Sequence, residues 1–293
     1  MTWKKRINKN DRMMEKKYKL TDETIMYGDR ILHRIEALYD FNDVEKGDKG
    51  GFIESEANLS HEGNCWVYND AKVFGNACVY ELARVLNKAE VSGDAKVHGY
   101  AIIVDRAIIG QEAEIYDSAS VSKCAVVVGC AKVYGSSAIS GNACIKDDAV
   151  VYGTACIKGF VNVMGKARIH GCVTVKDCVT IGGNSHILGR GEIGGYAYIR
   201  DAIVSDIDDY IVFKNWWSSG RYFTWTKSNN MWSVGCFYGT GEELIAKAYK
   251  DSELSGREYK RIVRYVEAIN HPVNPAKRLN RIQRIVCKLF RLK

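Results

Sequence analysis

The dominant pattern in the chain is a branched aliphatic residue at every sixth position. From Val67, Val73 and Val79 to Ile193 and Ile199, 23 such positions follow one another without an insertion. Four residues after each, the side chain is small, with Ala in 16 of the 23, from Ala71 and Ala77 onward. Two residues after each stands Gly, Asn or Asp in 20 of 23, as at Gly75, Gly93, Gly135, Gly153 and Gly171. Each position of this V-x-G-x-A-x unit has a physical task. The β-branched residue suits a short strand and points inward. The small residue, also inward, lets the chain turn a tight corner. Gly, Asn and Asp tolerate the positive φ that such a corner demands. Three strands and three corners make one triangular turn of 18 residues, and successive turns bond along the axis at ~4.8 Å. The pattern predicts an all-β solenoid over 51–205, a parallel β-helix of about eight turns and on the order of 37 Å long.

A solenoid end exposes an open strand edge and an open core, so both ends need covers. Residues 20–50 fit an N-terminal β cap, with a hairpin of 24–27 and 30–35 turning at Gly28-Asp29. After Ile203 the repeat stops and aromatic residues crowd in. Residues 206–270 then read as a small α+β module: a hairpin of 222–227 and 231–238, followed by two helices. Each helix carries a capping-box spacing, Thr240/Glu243 and Ser255/Glu258. Tyr259, Ile262, Val263, Val266 and Ile269 form a core stripe on the second, and the tryptophan cluster reads as core.

Charge changes the picture at the two ends. The chain carries +7 overall, but residues 1–19 carry +6 and residues 271–293 carry +7, leaving a mildly acidic body at −6. Residues 1–19 are expected to be a basic extension, disordered over 1–13. In 271–293, Asn274-Pro275 is a helix-start pair. Leu279, Ile282, Val286 and Leu289 recur at helical spacing. Lys277, Arg281, Arg284, Lys288 and Arg291 form a stripe on the opposite side. The expectation is a basic amphipathic helix that docks on the solenoid, meets a membrane surface or binds nucleic acid. No apolar run approaches the ~18 residues of a membrane span. The ten cysteines form no CxxC pair, and none lies a full turn from another. They read as reduced thiols of a cytoplasmic protein, peripheral to a membrane if the tail engages one.

The repeat resembles that of the hexapeptide-repeat superfamily. The segment from Asp40-Phe41-Asn42-Asp43-Val44 through Gly50-Gly51-Phe52-Ile53-Glu54 to the run Leu59–Tyr68 resembles the opening of YdcK-like putative transferases. It also resembles phage and prophage solenoid proteins. The resemblance implies that the coil is left-handed. It also brings in an activity, since many members of the superfamily are acyltransferases that use a histidine and acyl-CoA. Those enzymes usually break the coil with an insertion loop and end it with a proline-containing CoA-binding segment. Here the coil is unbroken and both prolines, Pro272 and Pro275, lie far beyond it.

No catalytic motif survives inspection. Gly189-Arg190-Gly191-Glu192-Ile193-Gly194 matches GxGxxG, but it is a pattern of corner glycines without a strand-to-helix context. No catalytic residue, metal site or cofactor is therefore assigned. The outward columns are more informative, because 18-residue spacing stacks them. One reads Tyr80, His98, Tyr116, Tyr134, Tyr152, His170 and Leu188. Its neighbour reads Cys78, Lys96, Glu114, Lys132, Val150, Arg168 and His186. Such a ladder either favours strand pairing by intramolecular stacking or serves as an interface for a subunit, carbohydrate or nucleotide. A further face carries Ile108, Val126, Val128, Cys144 and Met164, with Ile102 and Val104 around its corner, and apolar surface of this kind is usually covered. The leading functional expectation is a non-enzymatic binding or structural scaffold of phage or prophage type acting on a host factor. Its partner is a protein or a second copy of itself, with a trimer as one form. The alternative is an acyl-CoA-dependent acyltransferase.

Overall fold

The computed structural model describes residues 16–270. They divide into two compact units, residues 16–212 with 226–229, and residues 213–225 with 230–270.

The first unit is the solenoid. Two-residue strands recur every six residues, and each bonds in parallel to the strand 18 residues on, as Lys96 to Glu114, Glu114 to Lys132 and Lys132 to Val150. The coil contributes eight strands to each of three sheets, one of which three N-terminal strands extend to eleven. Every repeat Val or Ile from Val67 to Ile199 is at most 3% exposed, so the aliphatic positions fill one continuous core. All 23 corner residues two places further on have positive φ. That includes Glu81, Gln111 and Lys123, at φ of 60°, 57° and 60°. The coil therefore imposes the corner, and Gly, Asn and Asp only lower its cost. Polar corners do a second job. Asp105, Asp117, Asp147 and Asp177 each accept a hydrogen bond, at 2.8–3.1 Å, from the backbone N–H of the corner one turn on. Glu81 and Gln111 do the same toward Gly99 and Gly129.

The ends of the coil depart from the strict period. Ile53 pairs with Val73 and Leu59 with Val79, each across 20 residues. At the other end Ile187 pairs with Val204, across 17. One further strand, Ile203–Val204, thus continues the solenoid in a shifted register, with Val204 buried and Ile203 exposed.

The N-terminal cap is an antiparallel hairpin of β1 (Tyr18–Tyr27) and β2 (Arg30–Ala37), joined to β3 (Lys49–Ile53). Gly28 turns it at φ +62°. β1 starts two residues before the expected boundary of the cap, because Lys17 and Tyr18 plug the open end. Lys17 Nζ, shut from solvent, donates to the Cys65 and Gly63 carbonyls at 2.9 and 3.2 Å. The Tyr18 hydroxyl donates to the Leu59 carbonyl at 2.7 Å. Orphan backbone acceptors of the first coil are thereby satisfied.

The second unit holds strands of a four-stranded sheet and two helices. The expected strand over 231–238 is broken at Gly235, whose φ of +58° splits it into Met231–Val234 and Phe237–Gly239. Helix α1 (Gly241–Asp251) has the Thr240/Glu243 capping box. Helix α2 (Glu253–Asn270) starts earlier than the Ser255/Glu258 spacing suggested. Ser252 Oγ accepts from the Ser255 N–H at 3.1 Å, while the Ser252 N–H bonds the Ala248 carbonyl. One serine closes the first helix and opens the second, which leaves Ser255 inside the first turn. Phe223, Trp225 and Trp232 are buried core, as are Tyr259, Val263 and Val266, whereas Trp216 and Ile269 are exposed. The expected extension 1–13 and basic helix 275–293 lie outside the described residues.

Candidate functional site: a stacked aromatic column on one solenoid face

The ten solenoid residues singled out from the sequence come together on one face. Lys96, Lys132, Arg168 and His186 lie in the strands of a single sheet. The aromatic column follows immediately after the buried aliphatic of each strand. Its rings stack on one another without a break. Centroids are 4.6 Å apart for Tyr80–His98, 5.1 Å for His98–Tyr116 and 4.7 Å for Tyr116–Tyr134. The series continues with 5.1 Å for Tyr134–Tyr152 and 4.7 Å for Tyr152–His170. Planes deviate from parallel by 6–17°. The cause is the coil itself, because its rung spacing coincides with the stacking distance of aromatic rings.

This geometry limits what the column can present to another molecule. Each interior ring has a neighbouring ring on both faces, so only edges are presented outward. A base or sugar ring cannot stack on a π face already occupied. The column offers phenolic hydroxyls and imidazole nitrogens in a row instead.

Electrostatics differ along the column. His98 lies between two carboxylates, with Nδ1 3.7 Å from Glu81 and Nε2 3.5 Å from Glu114. Lys132 bonds Glu114 at 2.7 Å, and this bond is the main reason the Glu114 carboxyl stays below the usual range. Burial among its neighbours pushes the Tyr116 phenol up to about 12, and raises Tyr80 and Tyr134 as well, so these hydroxyls stay protonated. The column ends on a histidine pair, with His170 Nε2 and His186 Nε2 2.8 Å apart. Desolvation, then the neighbouring His170 and Arg168, lower the His186 pKa. Among the described residues, Lys96 and Arg168 have no ion-pair partner. Sequence reasoning missed Glu81, whose only signal was its departure from Gly, Asn or Asp at a corner.

The apolar residues expected on a further face divide between two sheets. Ile108, Val126 and Cys144 are neighbours in one, while Ile102 belongs to another, and Ile102 and Ile108 are the exposed members. No group of three His, Cys, Asp or Glu side chains able to hold a metal ion exists among the described residues. No helix among them is long and apolar enough to cross a membrane.

No protein-family model matches the chain. It is 37% identical over 79 residues to the uncharacterized acetyltransferase YdcK of Escherichia coli (strain K12). That match covers 24% of this chain and 24% of the relative, so about a quarter of each protein is shared. The partial match and the stacked coils of about eight turns together fit the chain to the hexapeptide-repeat β-helix proteins.

Proposed function

We propose that the chain is a non-enzymatic binding scaffold that docks a protein along the face carrying the aromatic column, with a second copy of itself as the occupant. The observation that carries this reading is the row of outward ring edges beside Lys96 and Arg168, which lack an ion-pair partner among the described residues. The face also holds Glu114, and a surface with both signs suits an isologous contact in which each copy supplies both. The phage-like N-terminal resemblance makes a host-cell protein the competing occupant. Sedimentation equilibrium tests the proposal, using wild type, a Tyr116→Ser/Tyr134→Ser/Tyr152→Ser variant and a Lys96→Glu/Arg168→Glu variant. Wild type is expected at a multiple of 32.9 kDa. Both variants should fall to the monomer with far-UV circular dichroism retained. A monomeric wild type that also captures no host protein lost by the variants would sink the proposal.

One observation favours a second reading, acetyl transfer. The His170–His186 pair places a neutral imidazole at the end of the column, where it can act as a general base. The partial relative bears an acetyltransferase name. A thermal shift with acetyl-CoA checks it, because a ligand that binds only the native state raises the melting temperature. No shift at millimolar acetyl-CoA rejects this reading.

A further inference from the structure

The second unit contains a cavity of about 380 Å³ among the loop after Lys214, the turn at Gly235 and the two helices. Its size lies in the range of small-molecule pockets. Asn215 lines it. This residue is 5% exposed, and its Nδ2 donates to the Tyr259 hydroxyl at 3.0 Å. Its Oδ1 is shut from solvent and has no hydrogen-bond partner among the described residues. A buried carbonyl oxygen is normally satisfied, so this orphan acceptor leaves hydrogen-bonding capacity unused in the layer behind the cavity wall. Ser255, also nearly buried, lines the same wall.

Charge specifies the rest. Arg221 and Lys247 line the same cavity, and neither has an ion-pair partner among the described residues. Asp251 lines it too, one helical turn beyond Lys247 on α1, and has no salt bridge among the described residues. Two free cations and one free carboxylate around one space call for a molecule with both an anionic and a cationic or N–H-bearing end. A plain anion such as phosphate would satisfy Arg221 and Lys247 but leave Asp251 opposing it. Val234, Phe237 and Leu244 supply an apolar wall for a hydrocarbon body.

We infer that this cavity is a binding site for a small zwitterion of the free amino-acid type. Arg221 and Lys247 hold its carboxylate, and Asp251 accepts from its ammonium group. The site is independent of the solenoid face.

The test uses the full chain, titrated with the common free L-amino acids singly, with inorganic phosphate, acetate and ethanolamine as single-ended controls. Tryptophan fluorescence is the readout, because the Trp217 ring packs edge-on against Tyr259 with 5.0 Å between centroids. At least one amino acid is expected to bind saturably, with the three controls failing to displace it at equal concentration. Arg221→Gln and Lys247→Gln remove exposed cations without touching the core, so melting temperatures should hold. Each is expected to weaken binding about tenfold or more, the usual cost of a lost charge-assisted hydrogen bond. The inference fails if no amino acid binds, if phosphate binds as tightly, or if both variants bind like wild type.

Discussion

Tyr116 and Tyr134 stand one full turn apart in the coil, and their rings lie face to face, 4.7 Å between centroids and 8° from parallel. Tyr152 repeats the relationship on the far side of Tyr134. An interior ring therefore contributes two stacks, whereas Tyr80 at the column's end contributes one. Stacked aromatic pairs add ~0.5–1.5 kcal/mol beyond area burial. Tyr134→Ser should cost about 1–3 kcal/mol, and Tyr80→Ser about half that. Urea unfolding midpoints check this, and equal losses at the two sites would show that the stacking contributes little.

Val127 lies at the centre of the coil with no exposed surface. Val127→Asp would bury a carboxylate among aliphatic side chains with no partner, at a cost of several kcal/mol. Domains are stable by only ~5–15 kcal/mol, so the variant should lose cooperative melting or soluble expression. A wild-type melting curve would contradict the inward register.

Lys123 holds a left-handed backbone at φ 60° without the compensating bond to the next turn that Glu81 and Gln111 make. Relief of that strain is worth ~1–2 kcal/mol, partly offset by the greater freedom of glycine in the unfolded chain. Lys123→Gly should therefore stabilise by about 0.5–1 kcal/mol. Gly129→Ala should do the opposite, because its Cβ would sit 2.6 Å from the Asp147 backbone nitrogen. Differential scanning calorimetry of the two variants checks both signs.

His186 gives the solenoid an acid-side sensitivity. Its folded pKa is lowered by burial first, then by His170 and Arg168. Above the unfolded value of about 6.5, the imidazole is neutral in both states and carries no penalty. As pH falls through that value the unfolded chain takes up a proton that the folded chain resists, so stability is lost progressively toward and below the lowered folded pKa. His186→Gln should flatten the fall in melting temperature between about pH 7 and 5. An unchanged slope would remove His186 from the account.

The solenoid was legible because a single physical demand recurs many times. Val, a corner residue and Ala each answer one steric need, and 23 repetitions make the period unmistakable. The columns followed by counting, since an 18-residue turn fixes which residues stack. What counting could not supply was side-chain direction. The closed π faces of Tyr116 and Tyr134, and the approach of Glu81 to His98, depend on rotamers. The ends were harder still, because Ile203–Val204 shifts register by one residue and Ser252 serves two helices at once. Asn215, Arg221 and Lys247 share no spacing or motif, so only the folded second unit brings them to one cavity.

The basic stretch 271–293 carries seven Lys and Arg and no acid, and we propose that it acts at an anionic membrane surface. Leu279, Ile282, Val286 and Leu289 recur at the spacing of one helical face, opposite Lys277, Arg281, Arg284, Lys288 and Arg291. Nucleic acid needs only the cations, whereas a lipid interface uses both the cations and the apolar positions. Each cation near anionic lipid contributes about 1 kcal/mol. Flotation with phosphatidylserine-containing vesicles should therefore carry the full chain, fall as salt rises, and vanish for a truncation at residue 270. Neutral vesicles should carry neither protein. A gel shift with duplex DNA across salt separates the nucleic-acid alternative. If both proteins behave alike with vesicles and DNA, and the truncation melts at a lower temperature, the stretch is a structural element whose cations simply face water.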